Sequence, residues 1–199
     1  MPTVVVPFSG PTGKRRLAPL PGPERALLAQ AMLADVLAAC RDLGRTVVVA
    51  PESGRLAAER AGADVVVADP GEGQGAAVAA GLAYADGAVL VVNADLPCAT
   101  TADVRALADA LPHDGLALVE AADGTTNALA LATPQLYRPL FGPGSADRFR
   151  ALVEARTQPI ANLVADVDTF DDLLRLEARL GAATRRALAA LQLRVEAAA

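Results

Sequence analysis

The chain has 199 residues, 53% of them hydrophobic, and a formal net charge of −5, which suits one sizeable domain with a buried core. No apolar run approaches the roughly 18–20 residues a bilayer span needs, and the opening Met1-Pro-Thr-Val-Val-Val-Pro7 lacks the basic region of a secretory leader. An acidic balance, the absence of Trp and a total of four Phe and two Tyr argue against nucleic acid, which demands positive surface for phosphates or aromatic platforms for bases.

Thr3–Phe8 reads as a first buried strand, because its residues are consecutive hydrophobics rather than an in/out alternation. It opens into Ser9-Gly-Pro-Thr-Gly-Lys-Arg-Arg-Leu-Ala-Pro19. The glycines let such a loop bring backbone N–H groups close to phosphate oxygens, with Lys14, Arg15 and Arg16 supplying charge. The spacing is not that of a Walker A loop, and solvated surface cations remain the plainer alternative. A helix over Glu24–Leu43 follows Pro23, with Leu28, Met32, Val36 and Cys40 one turn apart and Gly44 as its stop.

A second strand, Thr46–Ala50, a helix, Ser53–Ala61, and a third strand, Asp64–Ala68, continue the alternation. Then Gly71-Glu-Gly-Gln-Gly75 feeds a helix over Gly75–Ala85, a flexible turn suited to an anion or a purine base, or simply a tight turn. The next strand, Ala88–Asn93, runs directly into Asp95, and Pro97 ends regular structure. A carboxylate there must find a cation or several hydrogen bonds. Mg²⁺ shared with nucleotide phosphates would satisfy it, as would a role capping the turn or the helix Thr101–Leu111. Cys40 and Cys98 form no disulfide framework or metal-ligand spacing and are expected in the core of a cytoplasmic protein.

His113 is the one histidine and lies in an expected loop, so a nucleophilic triad is excluded. Strands follow at Leu116–Glu120 and Asn127–Ala132, separated by Asp123-Gly-Thr-Thr-Asn127, whose hydroxyls and amide could receive an anion. Phe141-Gly-Pro-Gly-Ser145 leads into a helix over Ala146–Ala155 with Arg148 in its first turn, a second candidate phosphate or carboxylate receptor. A last strand is expected at Leu163–Val167. Side-chain alternation would carry Asp166 and Asp168 to one side of its end. Thr169 is placed to cap a helix over Asp171–Leu180, with Asp171 and Asp172 in its first turn. The tail Ala182–Val195 reads as one more helix.

Short β-branched runs alternating with helices specify an α/β domain with a mostly parallel sheet in three layers. No linker divides the chain, so residues 1–199 are expected to form one domain, with a core over about residues 3–180 and a helical tail. In such a sheet ligands collect beyond the carboxyl ends of the strands, where the unusual polar residues fall.

Thr3-Val-Val-Val-Pro-Phe, Gly13-Lys-Arg-Arg-Leu-Ala-Pro, Asn93-Ala-Asp-Leu-Pro, Gly124-Thr-Thr-Asn-Ala-Leu, Phe141-Gly-Pro-Gly-Ser-Ala and Asp166-Val-Asp-Thr occur in this order. Together they resemble the 2-phospho-L-lactate/phosphoenolpyruvate guanylyltransferases of coenzyme F420 biosynthesis, among the MobA-like nucleotidyltransferases. The resemblance implies a Rossmann-like nucleotide-diphospho-sugar transferase (GT-A-like) fold. It also implies GMP transfer from GTP to a phosphorylated three-carbon acid: phosphoenolpyruvate, 2-phospho-L-lactate or 3-phosphoglycerate.

Carried over residue by residue, Lys14 and Arg16 would hold the GTP phosphates, with Lys14 and Asp95 catalytic. Asp95, Asp166 and Asp168 would hold Mg²⁺, and the base would lie near Gly73 and Gly75. Thr126, Gly142, Ser145 and Arg148 would receive the acceptor acid. Ser9, Gly75 and Phe149 depart from the family's frequent basic residue, Asn and His. A monomer or homodimer without nucleic-acid or membrane partners is expected. The rivals are a MobA-like transferase for a molybdenum cofactor or sugar phosphate, and a non-catalytic nucleotide-binding module. No Leu-Ala-Gly-Gly opening with an Arg-Met-Gly sequel supports the molybdenum case. A Rossmann dehydrogenase lacks its glycine fingerprint after the first strand.

Overall fold

The computed structural model describes residues 1–10, 17 and 20–198, with side chains as far as residue 191. Lys14, Arg15 and Arg16 lie outside the described residues. The elements run β1 (Thr3–Pro7), α1 (Gly22–Cys40), β2 (Arg45–Ala50), α2 (Glu52–Arg60), β3 (Val65–Ala68), α3 (Gln74–Leu82) and β4 (Val89–Val92). They continue α4 (Thr101–Asp109), β5 (Leu116–Glu120), β6 (Thr126–Leu131), α5 (Ser145–Arg150), β7 (Ala155–Thr157), α6 (Ala161–Val164), α7 (Phe170–Leu176) and α8 (Ala182–Ala198).

The strands form one sheet in the order β3-β2-β1-β4-β6-β5-β7. β1 lies parallel to β2 and β4, β2 to β3 and β5 to β7, while β6 runs antiparallel to both its neighbours. This is the mostly parallel α/β sheet that the alternating elements specify. Consecutive residues of β1 serve opposite faces. Val4 and Val6 pack with Leu33, Val36 and Leu107 on one side, and Val5 packs with Ala77, Val78 and Phe149 on the other. A third apolar cluster joins the outer side of α1, through Leu28 and Met32, to α7 and α8, through Leu173 and Leu188. Both cysteines are free and buried, and burial pushes the Cys40 thiol up to about 12. Among the described residues no helix is long and apolar enough to cross a membrane.

Two expected elements differ. Leu163–Val167 is not a strand: α6 covers Ala161–Val164, and an extended segment follows. The neighbours of β4 are already β1 and β6, so this segment finds no ladder there, and Leu163 packs into the helical layer instead. The helix expected over Ala146–Ala155 stops at Arg150. Its remainder turns and becomes β7, which completes the open side of β5, with the Leu116 N–H bonded to the Glu154 carbonyl at 2.9 Å. The need of an edge strand for a backbone partner overrides the helix propensity of Ala and Glu.

Candidate active site

The chain reverses direction across the sheet after β3. The α1 and α2 connections build outward to β2 and β3, and α3 then carries the chain back over β1 and β2 to β4. The carboxyl ends of β1 and β4 therefore flank a crevice, the switch point at which such sheets bind ligands. A cavity of about 240 Å³ lies there, lined by Pro7–Gly10 after β1, Asp69 after β3, Gly73, Gln74 and Ala77 at the start of α3, and Asn93–Asp95 after β4. Among the described residues lining it there is no Lys or Arg.

The start of α3 is shaped by glycine. Gly73, its N-cap, stands at φ 91°, and among the described residues no atom lies within 4 Å of where a Cβ would be. The left-handed conformation costs glycine little, and among the described residues no side chain caps the helix N–H groups. An anion meeting that end would find unpaired donors and the positive end of the helix dipole. A Cβ on Gly75 would come within 3.0 Å of Pro139, and the Gly75 carbonyl accepts the Tyr137 hydroxyl at 2.9 Å.

Opposite this turn lies an acidic group. Oxygens of Asp95, Asp166 and Asp168 lie within 4.8 Å of one another. The bond that brings them together is backbone: the Val167 N–H donates to the Asp95 carbonyl at 3.0 Å, leaving Asp166 and Asp168 on either side of the contact. Burial pushes the Asp166 carboxyl above its ordinary value, and the charges of Asp95 and Asp168 add to the rise, while the Asn127 amide opposes it. Three half-buried carboxylates repelling one another fit a divalent cation. All donors are hard oxygens of the kind Mg²⁺ takes, and small side-chain rotations would bring them to a common ion.

Thr126 and Ser145 lie behind Asn93 of the cavity lining and are buried, 1% and 0% exposed. β6 starts at Thr126, whose Oγ1 accepts the Ser145 hydroxyl at 3.1 Å. Gly142, at φ 113°, and Gly144, at φ 69°, fold the loop so that α5 begins at Ser145. Arg148 is turned onto its own loop, donating to the Pro143 carbonyl at 2.6 Å and the Leu140 carbonyl at 2.7 Å. Phe149 is fully buried, edge-on to Phe141 with centroids 5.3 Å apart, so this position is occupied by packing.

A model of the MobA-like NTP transferase domain matches residues 17–195. This chain belongs to that family. A phosphoenolpyruvate guanylyltransferase from Sphaerobacter thermophilus is 37% identical over 180 residues, covering 83% of this chain and 86% of the relative. A 2-phospho-L-lactate guanylyltransferase from Natrialba magadii is 36% identical over 194 residues, covering 87% and 82%. Among solved structures, a nucleotide-diphospho-sugar transferase from Desulfovibrio desulfuricans superposes with a TM-score of 0.72 at 18% identity, covering 96% of this chain and 95% of that one. The MobA-like fold is thus shared well beyond recognisable sequence similarity.

Within this MobA-like cleft, three polar residues stand that the sequence motifs did not single out as contacts. Gln74 donates to the Asn93 side-chain oxygen at 2.7 Å, and the Asn93 amide donates to the Thr126 carbonyl at 3.3 Å. The chain of contacts spans the cleft from the glycine turn to the Thr126–Ser145 wall. Asp69 holds the same turn through the Gly71 N–H at 2.9 Å. Asn93 was discoverable in principle, since residues two apart on a strand end share a side with Asp95. Asn127, read from the sequence as part of an anion receptor, is instead buried. Its amide donates to the Leu163 and Val164 carbonyls, each at 3.1 Å.

Proposed function

We propose that the chain catalyses guanylyl transfer from GTP to a phosphorylated three-carbon acid, phosphoenolpyruvate or 2-phospho-L-lactate, with release of pyrophosphate. The observation that carries this is the meeting of Asp95, which lines the switch-point cavity, with Asp166 and Asp168. The names of the curated relatives supply the nucleotide and the acceptor class.

In this reaction an acceptor phosphate oxygen attacks the α-phosphorus of GTP. The new P–O bond forms as the bond to the β-phosphate's bridging oxygen breaks, and pyrophosphate leaves with that electron pair. The nucleophile is already an anion, so no general base is required, in keeping with a chain whose one histidine, His113, is exposed beside Asp114. Catalysis then rests on positioning two anions and offsetting their charge. Asp95, Asp166 and Asp168 would hold Mg²⁺, which when bound neutralises charge on the α-phosphate and the departing pyrophosphate.

Lys14 and Arg16 would supply the remaining charge, since the described lining of the cavity has none. The glycine turn at Gly73 and Gly75 would take the base side of the nucleotide. Thr126, Gly142 and Ser145 would receive the acceptor through hydroxyl and backbone groups. Arg148 would act by bracing that loop, because its guanidinium is engaged with loop carbonyls. The test is pyrophosphate release from GTP and Mg²⁺ with each acid in turn, 3-phosphoglycerate included and ATP as the control nucleotide. Release with GTP and one of these acids is expected; no release with any acid sinks the proposal.

A further inference from the structure

Asn127 is tied to both chains that carry the acidic group. Its carbonyl accepts the Asn93 N–H at 3.1 Å, which fixes the end of β4 two residues before Asp95. Its side-chain amide donates to the Leu163 and Val164 carbonyls, each at 3.1 Å, which fixes the return segment two residues before Asp166. The bond between the Val167 N–H and the Asp95 carbonyl joins the two segments directly. Asn127 adds to it, its amide donating to the Leu163 and Val164 carbonyls and also reaching the Asp166 carboxylate itself. Only 2% exposed, it is well shielded from water that could substitute for it.

We propose that Asn127 is a positioning residue for the acidic cluster, setting the place of Asp166 and Asp168 against Asp95 and thereby the affinity for a divalent cation. The proposal rests on the cation-binding role assigned to the three carboxylates above. Thr126 and Asn127, neighbours on one strand, face opposite sides of the sheet. Thr126 meets the acceptor loop through Ser145, and Asn127 meets the acidic segment. A single register of β6 therefore sets both.

The experiment is a Mn²⁺ titration of the protein alone, followed by electron paramagnetic resonance, on wild type, Asn127→Leu and Asp95→Asn. Binding of a fluorescent GTP analogue in EDTA is measured beside it. Asn127→Leu removes both donors at similar volume and is expected to weaken Mn²⁺ binding roughly tenfold or more, as loss of groups that orient ligands does. Its metal-free nucleotide affinity is expected to stay at the wild-type value. Asn127→Ser, which keeps a small donor, is expected to fall between the two and is read alone should Asn127→Leu not fold.

A folded Asn127 variant with wild-type Mn²⁺ affinity, while Asp95→Asn has lost it, overturns the positioning role and leaves the cation site standing. Parallel loss of Mn²⁺ and metal-free nucleotide binding means a general loosening and overturns it too. Wild-type Mn²⁺ affinity in Asp95→Asn overturns the cation site and this proposal with it.

Discussion

The two walls of the cleft are built on opposite principles. The acidic wall is held from several directions. Besides the Asn127 and Val167 bonds, Asn162 donates to Asp103 at 2.9 Å, Arg179 to the Ala161 carbonyl at 3.0 Å, and the Asp168 N–H to Asp172 at 3.2 Å. Among the described residues the glycine wall is held by the bonds of Asp69, Gln74 and Tyr137, and none of them stands over its Gly73. The difference follows from what each must do. Like charges held close repel, so their geometry must be imposed by the scaffold. A helix N-terminus offers donors that need access rather than restraint.

The sharpest way to test that division is at Asp95. Asp95→Asn keeps the side-chain shape and the main-chain bond from Val167 while removing one charge. Turnover is expected to fall roughly 10³-fold, with thermal stability unchanged or higher, because one source of repulsion is gone. Pyrophosphate release and a melting curve on the same sample check both. A variant that lost stability in step with activity would show Asp95 to be part of the scaffold.

Behind the acidic wall, α8 is latched by Asp35 of α1. This buried carboxylate accepts the Ala183 N–H at 2.9 Å and the Thr184 N–H at 2.8 Å, and the Gly181 N–H reaches the Pro97 carbonyl at 2.7 Å. A Cβ on Gly181 would collide with the same carboxylate. Asp35→Ala leaves those helix donors unsatisfied and is expected to cost about 2–3 kcal/mol in urea unfolding. Turnover per folded molecule should be retained. If it fell severalfold, the Pro97 link would be carrying position from α8 to Asp95.

On the open wall the expectation reverses. Gly73→Ala meets no atom of the described residues but must hold φ 91°, a strain of about 1 kcal/mol. The GTP KM should rise severalfold while the acceptor KM stays in place, and steady-state kinetics with each substrate varied separate the two. An equal rise in both would remove the division between the walls.

These contrasts also explain what was legible in the sequence. The Val4–Val6, Val47–Val49 and Val89–Val92 runs announce buried strands because both faces are apolar. Asp95, Asp166 and Asp168 stand out as acids where apolar runs end. Their meeting, however, depends on bonds between distant residues, among them the Val167 N–H to the Asp95 carbonyl some 70 positions away, which no local pattern encodes. Ala155–Thr157 has no β-branched run and becomes a strand through the vacancy beside β5. Asn127 looked like a receptor because an amide in a polar turn is written the same way whether it faces ligand or core. Gln74 was hidden among glycines, and its role follows from the position of Asn93 across the cleft.

The smallest effect expected concerns the cap that ends the acidic segment. Asp172 accepts the Thr169 and Asp168 N–H groups and the Thr169 hydroxyl, and it pairs with Arg175 at 2.6 Å. Burial alone would raise its pKa, but hydrogen bonds from Arg175, Thr169 and the backbone of Thr169 and Asp168 outweigh that and bring it from 3.8 down to about 2. The folded state therefore holds fewer protons here than the unfolded chain between those values. The bonds contribute fully above the unfolded value and are lost as pH falls from 3.8 toward 2. Asp172→Asn should cost about 1 kcal/mol at neutral pH, the scale of a helix cap, and the wild-type advantage should shrink over that acid window. Denaturation curves at neutral pH and through the window check the sign. An advantage that held constant down to pH 2 would mean that the cap works through shape alone, and that the restraint on the acidic wall owes nothing to charge at this end.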